Sequence, residues 1–205
     1  YYNNIYGKEL NAYIIMANLF YDIKTYVDYD NLEKARVLFK QELDEFIKDY
    51  SIVQQIGMDL DTYYKTGVKD NWRNIPIKVG DPGMDNELQY ADKFPKTLEV
   101  VEQCKGLTNI GMNFTKPHGK IVPHSDPYDK DKDGNIIKHI TFINGVIIPS
   151  DKVDECGMKF NDTTIYLAES EWVGFSPETK HSSWNYTDHY RLSIIATIDS
   201  KYLTT

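Results

Sequence analysis

Two histidines and one aspartate are placed where they could hold a metal ion together. His124 and Asp126 lie at the end of a predicted strand, separated by one residue, and alternate residues of an extended segment point to the same side. His181 follows another predicted strand and a turn. Two histidines and a carboxylate on one face of an octahedron leave three positions open, as in non-haem iron(II) oxygenases. The sequence therefore predicts His124, Asp126 and His181 as the catalytic ligands of an iron(II) ion.

An arginine and a serine follow the three predicted metal ligands along the chain, and this order strengthens the prediction. Arg191 comes 10 residues after His181, and Ser193 shares its strand face. A guanidinium is a planar fork that matches a carboxylate with two hydrogen bonds. Arg191 and Ser193 are therefore predicted to bind the distal carboxylate of 2-oxoglutarate, while its keto-acid end chelates the iron. Each element alone is a weak signal, and their order carries the prediction.

Other interpretations of the same residues remain open. A His-x-Asp pair is common by chance, and His124 alone is typical of a structural residue at a strand end. Arg191 could pair with a surface carboxylate such as Asp188. His118 and His189 are expected in loops. A serine hydrolase is disfavoured because the sequence has no Gly-x-Ser-x-Gly elbow.

One acidic motif imitates a calcium site. Asp129, Asp131, Asp133 and Gly134 resemble the opening of an EF-hand loop, but its twelfth position, which must be a bidentate acid, is Ile140. No pair of flanking helices is predicted. Asp133-Gly134 instead indicates a tight turn between strands.

The secondary structure expected to position these residues changes from helical to β along the chain. Apolar residues recur at helical spacing over 32–50, with Asp30 or Asn31 as the N-cap, and again over 95–104. Asp81-Pro82-Gly83 marks a turn between the two helices. From residue 109 onward short β-rich runs alternate with turns, which predicts an antiparallel double sheet. The candidate strands are 109–115, 120–124, 136–142, 145–149, 163–167, 171–175 and 192–198.

These patterns predict an α+β, mainly β chain that forms one domain over 1–205. Residues 1–105 are expected to be a mainly helical support region, and 106–200 the core of a jelly roll with the site in its mouth.

The net charge of −8 disfavours nucleic acid as a partner. No apolar run is long enough to span a bilayer, and no secretory signal is recognised. Two isolated cysteines agree with a cytoplasmic setting, and the composition suggests an A/T-rich viral or bacterial genome.

The residues between 72 and 198 resemble the aspartyl/asparaginyl β-hydroxylase-like family of 2-oxoglutarate oxygenases. The resemblance rests on Trp72-Arg73-Asn74-Ile75-Pro76 and Phe94-Pro95-Lys96-Thr97, on Val122-Pro123-His124, and above all on the stretch from Val173 through His181-Ser182-Ser183-Trp184-Asn185 to Arg191. Asp126 stands where the vertebrate enzymes of the family have Gly. In this respect the chain is similar to the bacterial branch that includes cis-proline hydroxylases, and unlike halogenases.

The resemblance implies a double-stranded β-helix (cupin-like) fold with iron in its mouth. It also implies that Asn113 contacts the co-substrate, and that His139 is either a further co-substrate residue or a strand histidine. The implied activity is a dioxygenase that uses iron(II), 2-oxoglutarate and O2, releases succinate and CO2, and hydroxylates an unactivated C–H bond.

The sequence does not identify the substrate. A free amino acid is the first expectation, and a residue of a peptide or protein the second. Trp72, Arg73, Tyr128 and Trp184 are candidate substrate contacts, although Trp72 fits a core position equally. The alternatives are a non-catalytic binding or structural protein that keeps the jelly-roll fold, and a cupin isomerase, which would leave Arg191 and Ser193 unexplained. The sequence does not indicate an oligomeric state.

Overall fold

Two antiparallel sheets face each other and form the centre of the molecule. The computed structural model describes residues 19–59, 71–79, 90–130, 133–150, 152 and 154–204. The strands are β1 (Phe20–Tyr21), β2 (Met58–Asp59), β3 (Trp72–Lys78), β4 (Leu107–Thr115), β5 (Lys120–His124), β6 (Asp129–Lys130), β7 (Ile136–Ile137), β8 (His139–Ile147), β9 (Cys156–Phe160), β10 (Thr163–Tyr166), β11 (Trp172–Phe175), β12 (His181–Asn185) and β13 (Arg191–Asp199).

The larger sheet has seven strands in the order β1-β11-β8-β13-β4-β3-β2, and the smaller has four in the order β10-β9-β12-β5. Strands distant in sequence are neighbours in both sheets, as expected for a jelly roll. The predicted double-stranded β-helix is therefore confirmed. Among the described residues, no helix is both long enough and apolar enough to cross a bilayer.

The central strands alternate strictly between the two faces of the larger sheet. In β13, Leu192, Ile194, Ala196 and Ile198 are buried beneath the helices, whereas Arg191, Ser193, Ile195 and Thr197 line the space between the sheets. This alternation has the period of two that an extended strand imposes. The same strand thus contributes its even positions to the main core and its odd positions to a cavity.

Helix α1 (Tyr29–Phe46) covers the outer face of the larger sheet. Its buried residues include Leu32, Ala35, Phe39 and Leu43, which form one helical stripe. The helix begins at Tyr29 with Asp28 as its N-cap, before the predicted Asp30 or Asn31, and ends at Phe46. Tyr50, the last residue of the predicted helical pattern, belongs to a separate 3-10 helix over 50–55.

Helix α2 (Pro95–Val101) packs against α1, where the rings of Phe39 and Phe94 meet edge to face at 4.7 Å. It begins at Pro95 as predicted but ends at Val101, before Cys104. The buried carboxylate of Glu42 accepts hydrogen bonds from the backbone N–H groups of Lys96 and Thr97 at 2.9 and 3.0 Å. One helix therefore caps the N-terminus of the other.

The predicted helical region also contributes to the larger sheet. β1, β2 and β3 all precede residue 105, and β3 pairs with β4 along most of its length. The sequence interpretation missed β3, in which Trp72, Asn74 and Pro76 line the cavity while Ile75 and Ile77 are buried beneath the helices. Residues 1–105 are therefore more than a helical support, since β3 forms one wall of the cavity.

Several strand boundaries also differ from the prediction. The runs at 136–142 and 145–149 become β7, which pairs with β6, and the continuous strand β8. Gly134 has a φ of 83° at the predicted Asp133-Gly134 turn. Strands β9 and β12 were not predicted. The turn at Asp81-Pro82-Gly83 and Asp131 of the acidic loop lie outside the described residues. Cys104 and Cys156 are both buried and free.

Candidate metal centre

The two predicted histidine ligands lie side by side because two strands of the smaller sheet are in register. β12 pairs with β5, and His181 is the direct partner of His124. The centroids of the two imidazole rings are 4.3 Å apart. These residues are separated by 57 positions in the sequence, so their proximity depends on the strand pairing of the β-helix.

Asp126 completes the set from the loop that follows β5. Its backbone N–H donates to the carbonyl of Pro177 at 2.9 Å, which ties this loop to the one that leads into β12. One carboxylate oxygen lies 4.0 Å from Nε2 of His124, and the other lies 3.7 Å from Nε2 of His181. The potential ligand atoms of the three residues are all within 4.8 Å of one another, so they can converge on a single ion.

Backbone carbonyls set the orientation of both imidazoles. Nδ1 of His124 lies 2.7 Å from the carbonyl oxygen of Val122, and Nδ1 of His181 lies 2.8 Å from that of Thr179. Since a carbonyl only accepts, each Nδ1 carries the proton and each Nε2 presents its lone pair to the centre. Burial lowers the pKa of His181, and the neighbouring imidazole of His124 acts in the same direction because two positive charges would repel each other. Both effects favour the neutral form that binds metals.

The guanidinium of Arg191 lies in the same cavity and is held rigidly. Nη1 donates to Oγ of Ser183 at 2.7 Å and to the carbonyl of Trp184 at 2.9 Å, and Nη2 donates to Oγ1 of Thr115 at 3.0 Å. Nε has no hydrogen-bond partner among the described residues. Burial lowers the pKa of Arg191 to about 10, so it remains charged at neutral pH, with no carboxylate bonded to it in the part of the chain that the structure describes.

The other predicted co-substrate residues line the cavity too. Oγ of Ser193 is buried without a hydrogen-bond partner among the described residues. Asn113, its neighbour on β4, accepts a hydrogen bond at Oδ1 from the side chain of Asn74. This bond orients the Asn113 amide so that its N–H2 group is the part left for a ligand. His139 lies near the opposite end of the strands, with the ring of Tyr128 5.5 Å away.

The candidate substrate contacts separate into two groups. Trp72 is buried and lines the cavity, with its ring 6.0 Å from that of His124. Arg73 instead donates to the carbonyls of Ile56 and Gly57. Trp184 donates to the carbonyl of Asp154 at 3.0 Å, and its side chain does not line the cavity. Tyr128 contacts Ser176 at 3.1 Å through its hydroxyl.

His118 and Asp188 lie on the surface and pair with each other, not with residues of the site. Nε2 of His118 lies 2.9 Å from a carboxylate oxygen of Asp188, and both side chains are exposed. Asp188 is therefore not the partner of Arg191, and that alternative is wrong. The sequence interpretation missed Asn74, Thr115 and Ser183, which hold the predicted residues in place. The alternation of Asn74 with Ile75 and Ile77 was the available signal for β3.

The cavity between the sheets has a volume of about 380 Å³. Apolar side chains such as Ile143, Met158 and Phe175 cover part of its wall, and the triad and Arg191 supply the polar groups. A largely apolar pocket with a few convergent polar groups is typical of a ligand site. The arrangement could therefore hold a metal ion and an anionic ligand side by side, away from bulk water.

The chain was compared with solved structures, with curated proteins and with family models. The chain has 11% identity to the cupin domain of an XRE family transcriptional regulator from Enterobacter cloacae, over 63% of this chain and 97% of that one, with a TM-score of 0.38. It has 17% identity to the viral collagen prolyl hydroxylase of Paramecium bursaria Chlorella virus-1 in its 2OG complex, over 66% and 83%, with a TM-score of 0.41. These likenesses are distant, and the fold assignment rests on the sheets described above. No curated protein matches the chain.

The family model described as aspartyl/asparaginyl beta-hydroxylase matches residues 34–200. This range includes most of α1, all of α2, all strands from β2 to β13, the triad and Arg191. The expectation of an enzyme of the hydroxylase type is thereby confirmed. The match spans most of the 205 residues, and the chain belongs to the aspartyl/asparaginyl β-hydroxylase family.

Proposed function

We propose that the chain is an iron(II)- and 2-oxoglutarate-dependent dioxygenase that hydroxylates an unactivated C–H bond of an amino acid, either free or within a peptide or protein. One observation carries the proposal. Three metal-binding side chains converge in a cavity that also contains Arg191, a buried cation with no acidic partner among the described residues. A buried charge without a counterion is costly, and an anionic ligand would remove that cost.

The donor set fits iron(II). Nε2 of His124, Nε2 of His181 and one oxygen of Asp126 would occupy one face of the ion, which leaves three positions for ligands from the cavity. The Nδ1–H bonds to backbone carbonyls keep both imidazoles in the required orientation. The link from Asp126 to Pro177 keeps the carboxylate close to them.

The 2-oxoglutarate site follows from the unused donors beside the triad. The Nε–H edge of Arg191 would take the distal carboxylate, and the hydroxyl of Ser193 would add one hydrogen bond. Asn113, oriented by Asn74, would donate from its amide. We place His139 at the outer part of the cavity, where it would contact the co-substrate or substrate.

When bound, iron(II) with 2-oxoglutarate and O2 supplies the oxidising chemistry, and succinate and CO2 are released with the hydroxylated product. The residues of the chain provide the geometry. Met158 and Phe175 cover the cavity wall and exclude water. Trp72 limits the space beside His124. Two free, buried cysteines accord with the reducing environment of a cytoplasmic enzyme.

The test is coupled turnover. Purified protein with iron(II), ascorbate and 2-oxoglutarate is incubated in air with free amino acids and, separately, with short peptides, and succinate is quantified. Mass spectrometry should show one added oxygen on one compound, in a one-to-one ratio with substrate-stimulated succinate. The His181→Ala variant serves as the control and should form none. If wild-type protein binds both iron(II) and 2-oxoglutarate yet forms no succinate with any compound, the catalytic proposal is rejected.

A non-catalytic protein that keeps the fold is the second candidate. It would explain the double sheet but not the joint presence of a triad and an arginine with an unused donor edge. A protein selected only for binding has no need for three ligands around open positions. Failure to bind iron(II) would favour this candidate.

A further inference from the structure

The indole of Trp184 lies on the outer face of the smaller sheet and has no assigned role. Tyr166 is the strand partner of Gly157, and Gly157 is the partner of Trp184. Trp184 pairs in turn with Lys120. Residues directly opposite each other in antiparallel strands share one face, and alternate residues of a strand face opposite ways. Since Ser183 lines the cavity, this row of side chains crosses the opposite face of the sheet.

Three aromatic residues on this face, Tyr166, Trp184 and Tyr186, form what we call the aromatic platform. The ring centroids of Trp184 and Tyr186 are 6.0 Å apart with an angle of 25° between their planes, and the ring of Tyr166 meets Trp184 edge to face at 6.4 Å. The indole crosses over Gly157, where a Cβ would overlap it, and its Nε1 donates to the carbonyl of Asp154 at 3.0 Å. The platform is therefore held in place before any ligand binds.

Two lysines lie beside the platform. The ammonium of Lys120 is 5.0 Å from the centroid of the Tyr186 ring. Lys159 is exposed on β9, and its strand partners are Thr164 and Ser182. Neither ammonium forms an ion pair with a described residue. The outer face therefore combines aromatic rings with two positive charges and two hydroxyl groups.

The charge of this face is opposite to that of the whole chain. None of the strands β5, β9, β10 and β12 contains an acidic residue, although the chain has 31 acids and a net charge of −8. The acids that flank β9, Asp154, Glu155 and Asp162, lie in the turns before and after it. Glu155 is paired with Lys152 at 2.9 Å. An anionic partner is therefore complementary to the face.

We propose that the outer face of the smaller sheet binds an acidic glycan, a sugar chain that carries carboxylate or sulfate groups. The C–H face of a sugar ring is weakly positive and stacks on the negative face of an aromatic ring such as that of Trp184. The anionic groups would lie at Lys120 and Lys159, and the sugar hydroxyls would bond to Thr164 and Ser182. This binding function is separate from the metal centre, which lies on the other side of the sheet.

A surface groove extends the platform beyond Tyr166. It has a volume of about 430 Å³, and its wall includes Tyr166, Ser150, Lys152 and Glu169. Glu169 accepts a hydrogen bond from the backbone N–H of Ile148 at 3.0 Å, which fixes one side of the groove. A sugar chain stacked on the platform would continue into this groove and meet polar groups there. The surface therefore fits an oligosaccharide better than a single sugar.

A single-stranded nucleic acid also combines ring faces with negative charge, but it fits this face less well. It carries a phosphate on every nucleotide and binds along a groove of cations that follows its backbone. The four strands supply only Lys120 and Lys159, and the exposed Asp154 and Asp162 at the border would repel phosphates. The experiment therefore includes a nucleic acid as a competing ligand.

The experiment measures binding by calorimetry at low and at high NaCl concentration. The proteins are wild type, Trp184→Ala, Lys159→Met and the control Lys34→Met, which removes an exposed charge on α1. The probes are oligogalacturonate, a heparin oligosaccharide, a neutral cello-oligosaccharide of similar length, and oligo(dT). Circular dichroism checks that each variant is folded. Because Lys159 is exposed, Lys159→Met tests the charge independently of any effect of Trp184→Ala on stability.

We expect at least one acidic glycan to bind wild type and Lys34→Met about tenfold more tightly than the cello-oligosaccharide does. High salt should weaken this binding, because it screens exposed charges. Trp184→Ala should weaken it by roughly 3- to 10-fold through the loss of stacking, and Lys159→Met by roughly two- to fivefold through the loss of one charge.

Any of the following results would overturn the inference: no acidic glycan binds, the neutral glycan binds as tightly as the acidic ones, Lys159→Met or folded Trp184→Ala binds as tightly as wild type, or oligo(dT) binds more tightly than every glycan. The last result would assign the face to nucleic acid. None of these results affects the proposed function, because the metal centre takes no part in the binding that is measured.

Discussion

Replacement of Arg191 by methionine tests how 2-oxoglutarate is held. The change removes the Nε–H edge, which has no partner among the described residues, and with it the second donor on Nη2. Hydrogen bonds to charged groups contribute about 1.5–3 kcal/mol each. Loss of two such bonds should therefore raise the Kd of 2-oxoglutarate by a factor of roughly 100 or more. Arg191→Lys keeps the charge but loses the fork, and we expect an intermediate loss of about tenfold.

The Arg191→Met variant should remain folded, because the substitution has two opposite effects on stability. Methionine leaves Ser183, Trp184 and Thr115 without their donor. It also removes a buried charge whose pKa falls from 12.5 to about 10, a desolvation cost of about 3 kcal/mol. Since the folded-state pKa is the lower one, this cost persists at every pH below about 10 and is relieved only above it.

The assay is an anaerobic titration of 2-oxoglutarate into protein already loaded with iron(II), for wild type, Arg191→Met and Arg191→Lys. Iron(II) affinity serves as the internal control, because Arg191 does not contact the triad. An unchanged Kd for 2-oxoglutarate in Arg191→Met, with iron(II) bound normally, would refute the assignment of the carboxylate to Arg191.

Further predictions concern the metal, the fold and the thiols. His124→Ala and His181→Ala should each abolish stoichiometric iron(II) binding, measured by metal analysis after desalting, while the circular dichroism spectrum stays that of wild type. Glu42→Ala should lower the free energy of unfolding by roughly 1–3 kcal/mol, because it leaves buried donors of α2 unpaired; urea denaturation measures this, and iron(II) affinity should not change. Burial raises the pKa of Cys104 and of Cys156, so iodoacetamide should modify neither thiol until the protein is unfolded; rapid labelling of native protein would contradict their burial.

The sequence could indicate the candidate site residues because their spacing follows the geometry of a strand. His124 with Asp126, and Arg191 with Ser193, are both separated by one residue, which places each pair on one side of an extended segment. The combination of two histidines and one carboxylate then suggested iron(II). The order of the residues along the chain suggested 2-oxoglutarate. In the structure these residues and His181 line one cavity.

The residues that hold the site in place could not be predicted from spacing within a strand. Ser183 contacts Arg191 from a strand whose sequence, His-Ser-Ser-Trp-Asn, lacks apolar alternation because one face lines the cavity and the other faces solvent. Asn74 lies on β3 and lines the cavity, whereas Arg73 of the same strand donates to the carbonyl of Ile56. Glu42 caps α2 across 54 residues, with no local motif. Each depends on contacts between distant segments, for which the local pattern carries no signal.

The central claim is that one site holds iron(II) and 2-oxoglutarate together. Addition of both to oxygen-free protein should produce a weak visible charge-transfer absorption, as a keto acid chelated to iron(II) does, saturating at one equivalent of each. We expect it to disappear when a chelator removes the iron and to be absent from Asp126→Ala. A folded wild-type protein that binds iron(II) but shows no such absorption at saturating 2-oxoglutarate would contradict the account.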